Sequence, residues 1–385
     1  MKQFFKFMFA SLLGFLLGII ILFFISIGMV ASLASMGKKG VTEVRKQSVL
    51  HLSFDKEVVD RGGASPFDNF DFMSMSATNT IGLNDLLNNL KKAKEDDNIE
   101  GILLDLSITR AGWASVDEIR HGLIDFKASG KFIISYGEFY SQNAYYLASV
   151  ADEIFMHPEG IVDFRGINLE TMFFKGTLDR LGIDPQIIRH GEYKSAGEPF
   201  FLDRMSPENR EQLEAIAGNI WNNILSDIGS SRNLSLNHLT EVANAFKSRT
   251  AEMALENDMI DGIKYRDELL AYINEKLGRE ADKKIAFVSL DKYENAALPK
   301  SMVTPRSRDK IAVIFGSGNI LTAEGSERVI GSKGMAQAIR EARMDTTVKA
   351  IVFRINSPGG DAMASDVILR EVKLAAEVKP VIASM

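Results

Sequence analysis

Apolar and polar positions in this chain follow three patterns in turn: a long unbroken apolar run, then repeated short apolar stretches, with helix-period segments between them. From Phe7 to Gly37 no charged residue occurs, and FMFASLLGFLLGIIILFFISIGMV is apolar almost throughout. Such a run is long enough to cross a bilayer as a helix. A cleaved signal peptide is the rival reading, with Ala31, Ser32 and Ala34 as small residues near a cleavage point. Its apolar core usually spans about 7–15 residues, so length favours an uncleaved anchor. Lys2 and Lys6 precede the run while Lys38, Lys39, Arg45 and Lys46 follow it, which opposes a simple positive-inside assignment.

Beyond the anchor, VLHLSF (Val49 to Phe54) has strand character, and RGGASPFDNFDFMSMSATNT reads as a loop. Leu83, Leu86, Leu87 and Leu90 recur at helix spacing, and GILLDLS (Gly101 to Ser107) reads as a strand buried on both faces. A helix near Ser115 to Lys127 leads into the strand KFIISY (Lys131 to Tyr136). Alternating strands and helices predict parallel βαβ units.

The same order returns about 250 residues later, the mark of an internal repeat. KIAVIFGSG (Lys310 to Gly318) answers the first strand, and GMAQAIREARMDTTVKAIVFRI answers LNDLLNNLKKAKEDDNIEGILLDL, with Asp345 matching Asp96 and Ala350 matching Gly101. KPVIASM (Lys379 to Met385) answers KFIISYG. An apolar strand without covering elements is an unusual end for a domain, so the second copy reads as interrupted. Between the copies lies a helical insertion. Ser206 and Pro207 suit a helix start, Leu213, Ile216, Ile220, Trp221 and Ile224 continue it, and TAEMALENDMIDGI (Thr250 to Ile263) is read as its extension. The expected division is 1–40 for the anchor, 45–300 for the first repeat with its insertion, and 308–385 for the start of the second.

Composition narrows the chemistry. The 385 residues are 46% hydrophobic and 25% charged, with a net charge of −6 and no basic block. They can build a sizeable core but leave no footprint for nucleic acid. No cysteine is present, which excludes disulfides, thiolate metal sites and a Cys nucleophile. The five histidines, His51, His121, His157, His190 and His238, have no HExxH or other short metal-ligand spacing, and no GxSxG elbow occurs. No metal or cofactor is expected.

Two segments could carry chemistry. RINSPGGDAMAS runs from a strand into Pro358, Gly359 and Gly360 and on to a helix. Adjacent glycines let a backbone turn sharply and aim N–H groups at one point, as an oxyanion hole requires, although an isolated Pro-Gly-Gly is commonly an ordinary turn. In RHGEYKSAGEPF, Lys194 sits among Tyr193, Ala196, Pro199 and Phe200. Partial desolvation there would suit a general base, whereas most lysines are simply solvated, and Glu198 is close enough in sequence to hold the amine charged. His190 is a candidate neighbour.

Taken together, RHGEYKSAGEPF, MSPENREQ and RINSPGGDAMAS resemble, in order and separation, the long two-repeat form of signal peptide peptidase A. That resemblance covers nearly everything after the anchor. It implies tandem α/β repeats of the Clp-protease and crotonase-like spiral fold, with Lys194 as general base and Gly359 and Gly360 in the oxyanion loop. The serine nucleophile is then expected after Met385, and these 385 residues alone are expected to be inactive. In the first repeat, EFYSQNAYYLASVADEI places Gln142 at the nucleophile's position, with Ser141 adjacent; neither Ser141 nor Ser357 is nominated. The resemblance further implies a single-pass protein of the bacterial inner membrane, its catalytic part outside the cytoplasm. A homotetramer is implied as well, acting on signal-peptide remnants or small unfolded peptides and meeting lipid through residues 7–30. A crotonase-type acyl-CoA enzyme and a non-catalytic membrane-tethered assembly protein are the alternatives.

Overall fold

In the computed structural model, residues 2–36, 42–62, 70–71, 76–77, 80–303, 307–326 and 328–385 are described. Most of the stretch read as a loop between Arg61 and Thr80 lies outside them. A helix, Lys2–Met36, contains the apolar run, and its Gln3–Gly28 portion has a mean hydropathy of 2.8 with none of its most apolar stretch buried in the protein. It is long and apolar enough to cross a membrane, as the sequence indicates.

The first sheet has six strands in the order Ala286–Ser289, Ser48–Leu52, Ile99–Asp105, Phe132–Tyr140, Glu153–Val162, Gly262–Ile263, and every neighbouring pair is parallel. Its central strands are fully buried at Leu50, Ile102, Leu104 and Ile133, each worth about 2 kcal/mol of apolar transfer. Helix Leu83–Glu95 packs Leu83, Leu86, Leu90 and Ala93 on one face of this sheet. Helix Arg266–Lys276 covers the other face, setting Leu269 and Ile273 against Val49, Leu103 and Ile134.

The second sheet repeats the pattern. Lys310–Ser317, Val348–Asn356 and Val381–Ser384 run parallel, and Ile311 pairs with Ala350 as Val49 pairs with Gly101. Glu57–Val59 pairs with Thr80–Gly82, and Asn319–Leu321 pairs with Val329–Gly331 in the same way. The matched aspartates do the same work. Asp96 accepts from the amide of Asn98 at 3.0 Å and Asp345 from that of Thr347 at 2.8 Å, each turning a 13-residue helix into the next strand. The fold class is therefore the expected one: parallel α/β units in tandem, an apolar N-terminal helix and a helical insertion.

The insertion differs in detail. Helix Pro207–Arg232 begins on the Ser206 cap and ends at Asn233, whose φ of 55° is left-handed and stops it. Leu236–Asn244 and Ala251–Glu256 are separate helices, so the Thr250 to Ile263 segment is not a continuation. It returns to the sheet through Gly262–Ile263.

Candidate active site

Lys194 lies in a turn whose anchor is Glu198. The Glu198 side chain is fully buried and accepts from the Ser206 hydroxyl at 2.6 Å, the Ser206 amide at 3.3 Å and Asn209 Nδ2 at 2.9 Å. Ser206 and Asn209 are the cap and first turn of the 26-residue insertion helix, whose positive end favours a carboxylate. Arg189 lies 3.5 Å from the same carboxylate and donates to the Lys194 carbonyl at 3.4 Å. Burial pushes the Glu198 carboxyl up, but the Ser206 and Asn209 hydrogen bonds and the Arg189 charge prevail and hold it below the ordinary carboxylate range. The backbone of the turn is thus held from both sides. The Lys194 side chain itself is exposed, as are His190 and Phe200, so these residues do not supply the apolar shelter that the local sequence suggests. Glu198, meanwhile, faces Ser206, Asn209 and Arg189 and makes no ion pair with Lys194 among the described residues.

The glycine turn follows strand Val348–Asn356. Ser357 Oγ donates to the Gly318 carbonyl at 2.6 Å and accepts from the Gly359 amide at 3.0 Å. Ile320 donates to the Gly359 carbonyl at 3.0 Å, and Asp361 donates to the Ile320 carbonyl at 2.9 Å. This bridge uses the groups on either side of Gly360, so Gly360's own N–H points away from Ile320. Gly359 has φ +104°, and a Cβ on Gly360 would lie 2.1 Å from the Ile320 carbonyl oxygen. Both positions therefore require glycine, for different reasons. Asp361 then caps helix Ala362–Ala376, accepting from Met363 at 2.8 Å and from Thr322 Oγ1 at 2.8 Å. Of the two glycine amides, Gly359's is spent on Ser357, while Gly360's faces away from Ile320, two residues before helix Ala362–Ala376.

The first unit keeps the scaffold but carries other residues at the matching positions. Val58 donates to the Arg110 carbonyl at 2.9 Å just as Ile320 donates to Gly359, so Arg110 and Ala111 occupy the positions of Gly359 and Gly360. Ser141 Oγ caps helix Gln142–Ala148 by accepting from the Ala144 amide. Gln142 Oε1 accepts from the Gly166 amide at 3.0 Å, and its Nε2 donates to the Gly166 carbonyl at 3.1 Å. That side chain lines a cleft of about 380 Å³ beside Asp163, Arg165 and Ile167.

Lys194 belongs to the segment around the first sheet and the glycine turn to the second; among the described residues no hydrogen bond or ion pair joins them. One contact between the units was not foreseen from sequence. Arg354, at the end of the strand feeding the glycine turn, pairs with Asp60 at 2.7 Å and Glu118 at 2.5 Å, and Asn356 Nδ2 donates to Asp60 at 3.2 Å. The cue available in the sequence was an arginine at the position where the first repeat has Asp105, a change of charge between otherwise matched strands.

Residues 125–280, which include Lys194, match the family described as Peptidase family S49. The chain is 34% identical to "Serine protease SPPA, chloroplastic" of Arabidopsis thaliana over 89% of its length and 49% of that protein. It is 37% identical to "Protease 4" of Salmonella typhi over 78% of its length, and 34% identical to "Protease 4" of Haemophilus influenzae over 77%, each match covering 49% of the relative. The chain thus spans about half the length of the curated relatives it matches. The lysine turn thus lies in a segment that matches peptidase family S49, and most of the chain is similar to proteins named as SppA-type proteases.

Proposed function

We propose that the protein carrying this chain is a membrane-anchored serine endopeptidase acting through a Ser/Lys dyad. Lys194 is its general base, and its nucleophilic serine lies outside these 385 residues. Neutral Lys194 takes the serine proton as the hydroxyl attacks the peptide carbonyl, and the resulting ammonium returns that proton to the leaving amine. The N–H of Gly360, left unused by the bridge to Ile320, donates to the tetrahedral oxyanion. The 385 residues alone are inactive in this reading; Ser357 donates its hydroxyl to the Gly318 carbonyl, and Ser141 Oγ serves as a helix cap.

The observation that carries the proposal is the lysine turn itself. A buried carboxylate, an arginine and the start of a 26-residue helix are all committed to fixing the backbone around one exposed amine. A surface lysine without a task needs no such support. The relatives, all named as proteases, point the same way. The substrates we propose are hydrophobic remnants of signal peptides and small unfolded peptides, which suits a protein whose Gln3–Gly28 segment can reside in a bilayer. A homotetramer in a bacterial inner membrane, with its catalytic part outside the cytoplasm, completes the proposal. Hydrolysis of a model signal peptide by the full-length protein, beside its Lys194→Ala variant, tests it.

A further inference from the structure

Asp60 follows the short strand Glu57–Val59 of the first unit, yet its carboxylate, with the side chain only 4% exposed, is committed to the second unit. It accepts from Arg354 Nε at 2.7 Å and from Asn356 Nδ2 at 3.2 Å, while Glu118 on helix Trp113–Lys127 takes the other end of the guanidinium. In the first unit the matching strand position holds Asp105, which pairs within its own unit with His51 and Arg266. The charge is therefore reversed in the second unit and its partner lies across the boundary.

A continuous run of hydrogen bonds leads from this contact to the glycine turn. The Asn356 carbonyl accepts from Gly318 at 2.9 Å, the Gly318 carbonyl accepts from Ser357 Oγ, and Ser357 Oγ accepts from the Gly359 amide. We propose that Asp60 is a positioning residue, a first-unit carboxylate that sets the second unit's oxyanion turn through Arg354 and Asn356. The proposal rests on the peptidase reading for its consequence in turnover. Its structural content, a turn held from the other unit, stands apart from that reading. Removing the carboxylate leaves a largely buried guanidinium short of one partner and frees the strand end to shift, and small displacements of oriented groups cost rate more than binding.

The test uses the full-length protein as wild type, Asp60→Ala, Asp60→Asn, Arg354→Ala and the Asp60→Ala/Arg354→Ala pair. Peptide hydrolysis and deuterium exchange at Gly359 to Asp361 are both measured. Asp60→Ala should lower kcat about tenfold to a hundredfold while KM stays within about twofold. The pair should be no worse than the more damaging single variant, because both remove one contact. Exchange at the turn should quicken while the strands Ile99–Asp105 and Phe132–Tyr140 keep their protection. Wild-type kcat and turn exchange in Asp60→Ala would overturn the inference. So would core exchange rising in step with the turn in both Asp60 variants, which would make the carboxylate a general stabiliser. If the wild type hydrolyses no peptide, it is the peptidase reading that fails, and exchange at the turn alone decides the role of Asp60.

Discussion

The Ser206 hydroxyl donates to Glu198 at 2.6 Å while accepting from the Asn209 amide at 3.1 Å, so one serine both caps the insertion helix and closes the lysine turn. The turn's geometry is thereby tied to the start of a helix, and through Arg189 to the backbone of Lys194. A depressed carboxylate contributes stability that is fully present above the unfolded value of about 4.3 and is lost as pH falls through its lower folded value. Protection factors across residues 189–209, with exchange corrected for its intrinsic pH dependence, should therefore stay flat from neutral pH to about 5 and fall in more acidic solution. Glu198→Gln should abolish that acid step and quicken exchange at every pH.

The two glycines of the second unit should respond differently to alanine. At Gly360 an added methyl meets the Ile320 backbone at 2.1 Å, so the bridge must open. At Gly359 the space is free but φ +104° strains any side chain, at about 1–3 kcal/mol. Gly360→Ala should cost the larger part of peptide turnover, with Gly359→Ala intermediate. Parallel melting curves and rates on the full-length protein would check the order, and equal effects would refute the geometry assigned to the turn.

Gln142 substitutes its own amide for a backbone partner at Gly166. Gln142→Ser should therefore create no second active centre: in a Lys194→Ala background it leaves peptide hydrolysis at the residual Lys194→Ala level, since Arg110 and Ala111 stand where the second unit has its glycines. Gln142→Ala should lower stability by about 1 kcal/mol for the bonds lost, measurable by denaturant unfolding.

Arg120 joins the first unit to the insertion. Fully enclosed, it donates to the carbonyls of Tyr146 and Asp227 and to the hydroxyls of Ser149 and Ser231. Arg120→Ala removes four hydrogen bonds from a buried site, with the Tyr146 carbonyl keeping a donor in Ser149, and should cost about 3 kcal/mol or more, with helix Pro207–Arg232 losing exchange protection first.

Much of this was legible in the sequence because periodicity and internal repetition report local structure directly. Leu83, Leu86 and Leu90 mark their helix, Asp96 and Asp345 mark matching turns, and Ser206-Pro207 marks a helix start. Long-range pairings were not legible. Nothing local to AFVS at Ala286–Ser289 says that it lies beside Ser48–Leu52. The reach of Arg354 to Asp60 likewise depends on how two units meet. Glu198 was visible as a residue near Lys194, but its direction was not: chain proximity suggested the amine, whereas the helix start eight residues on captured the carboxylate. Exposure of Lys194 shows the limit of reading desolvation from neighbours in sequence, since Tyr193, Ala196 and Phe200 are themselves exposed.

The central claim is that the amine of Lys194 moves the proton during peptide hydrolysis. Turnover of a model signal peptide by the full-length protein, measured for wild type and Lys194→Ala under the same conditions, tests it most directly. The account predicts a fall of about three orders of magnitude or more with the fold intact. Near-normal turnover in Lys194→Ala would contradict it.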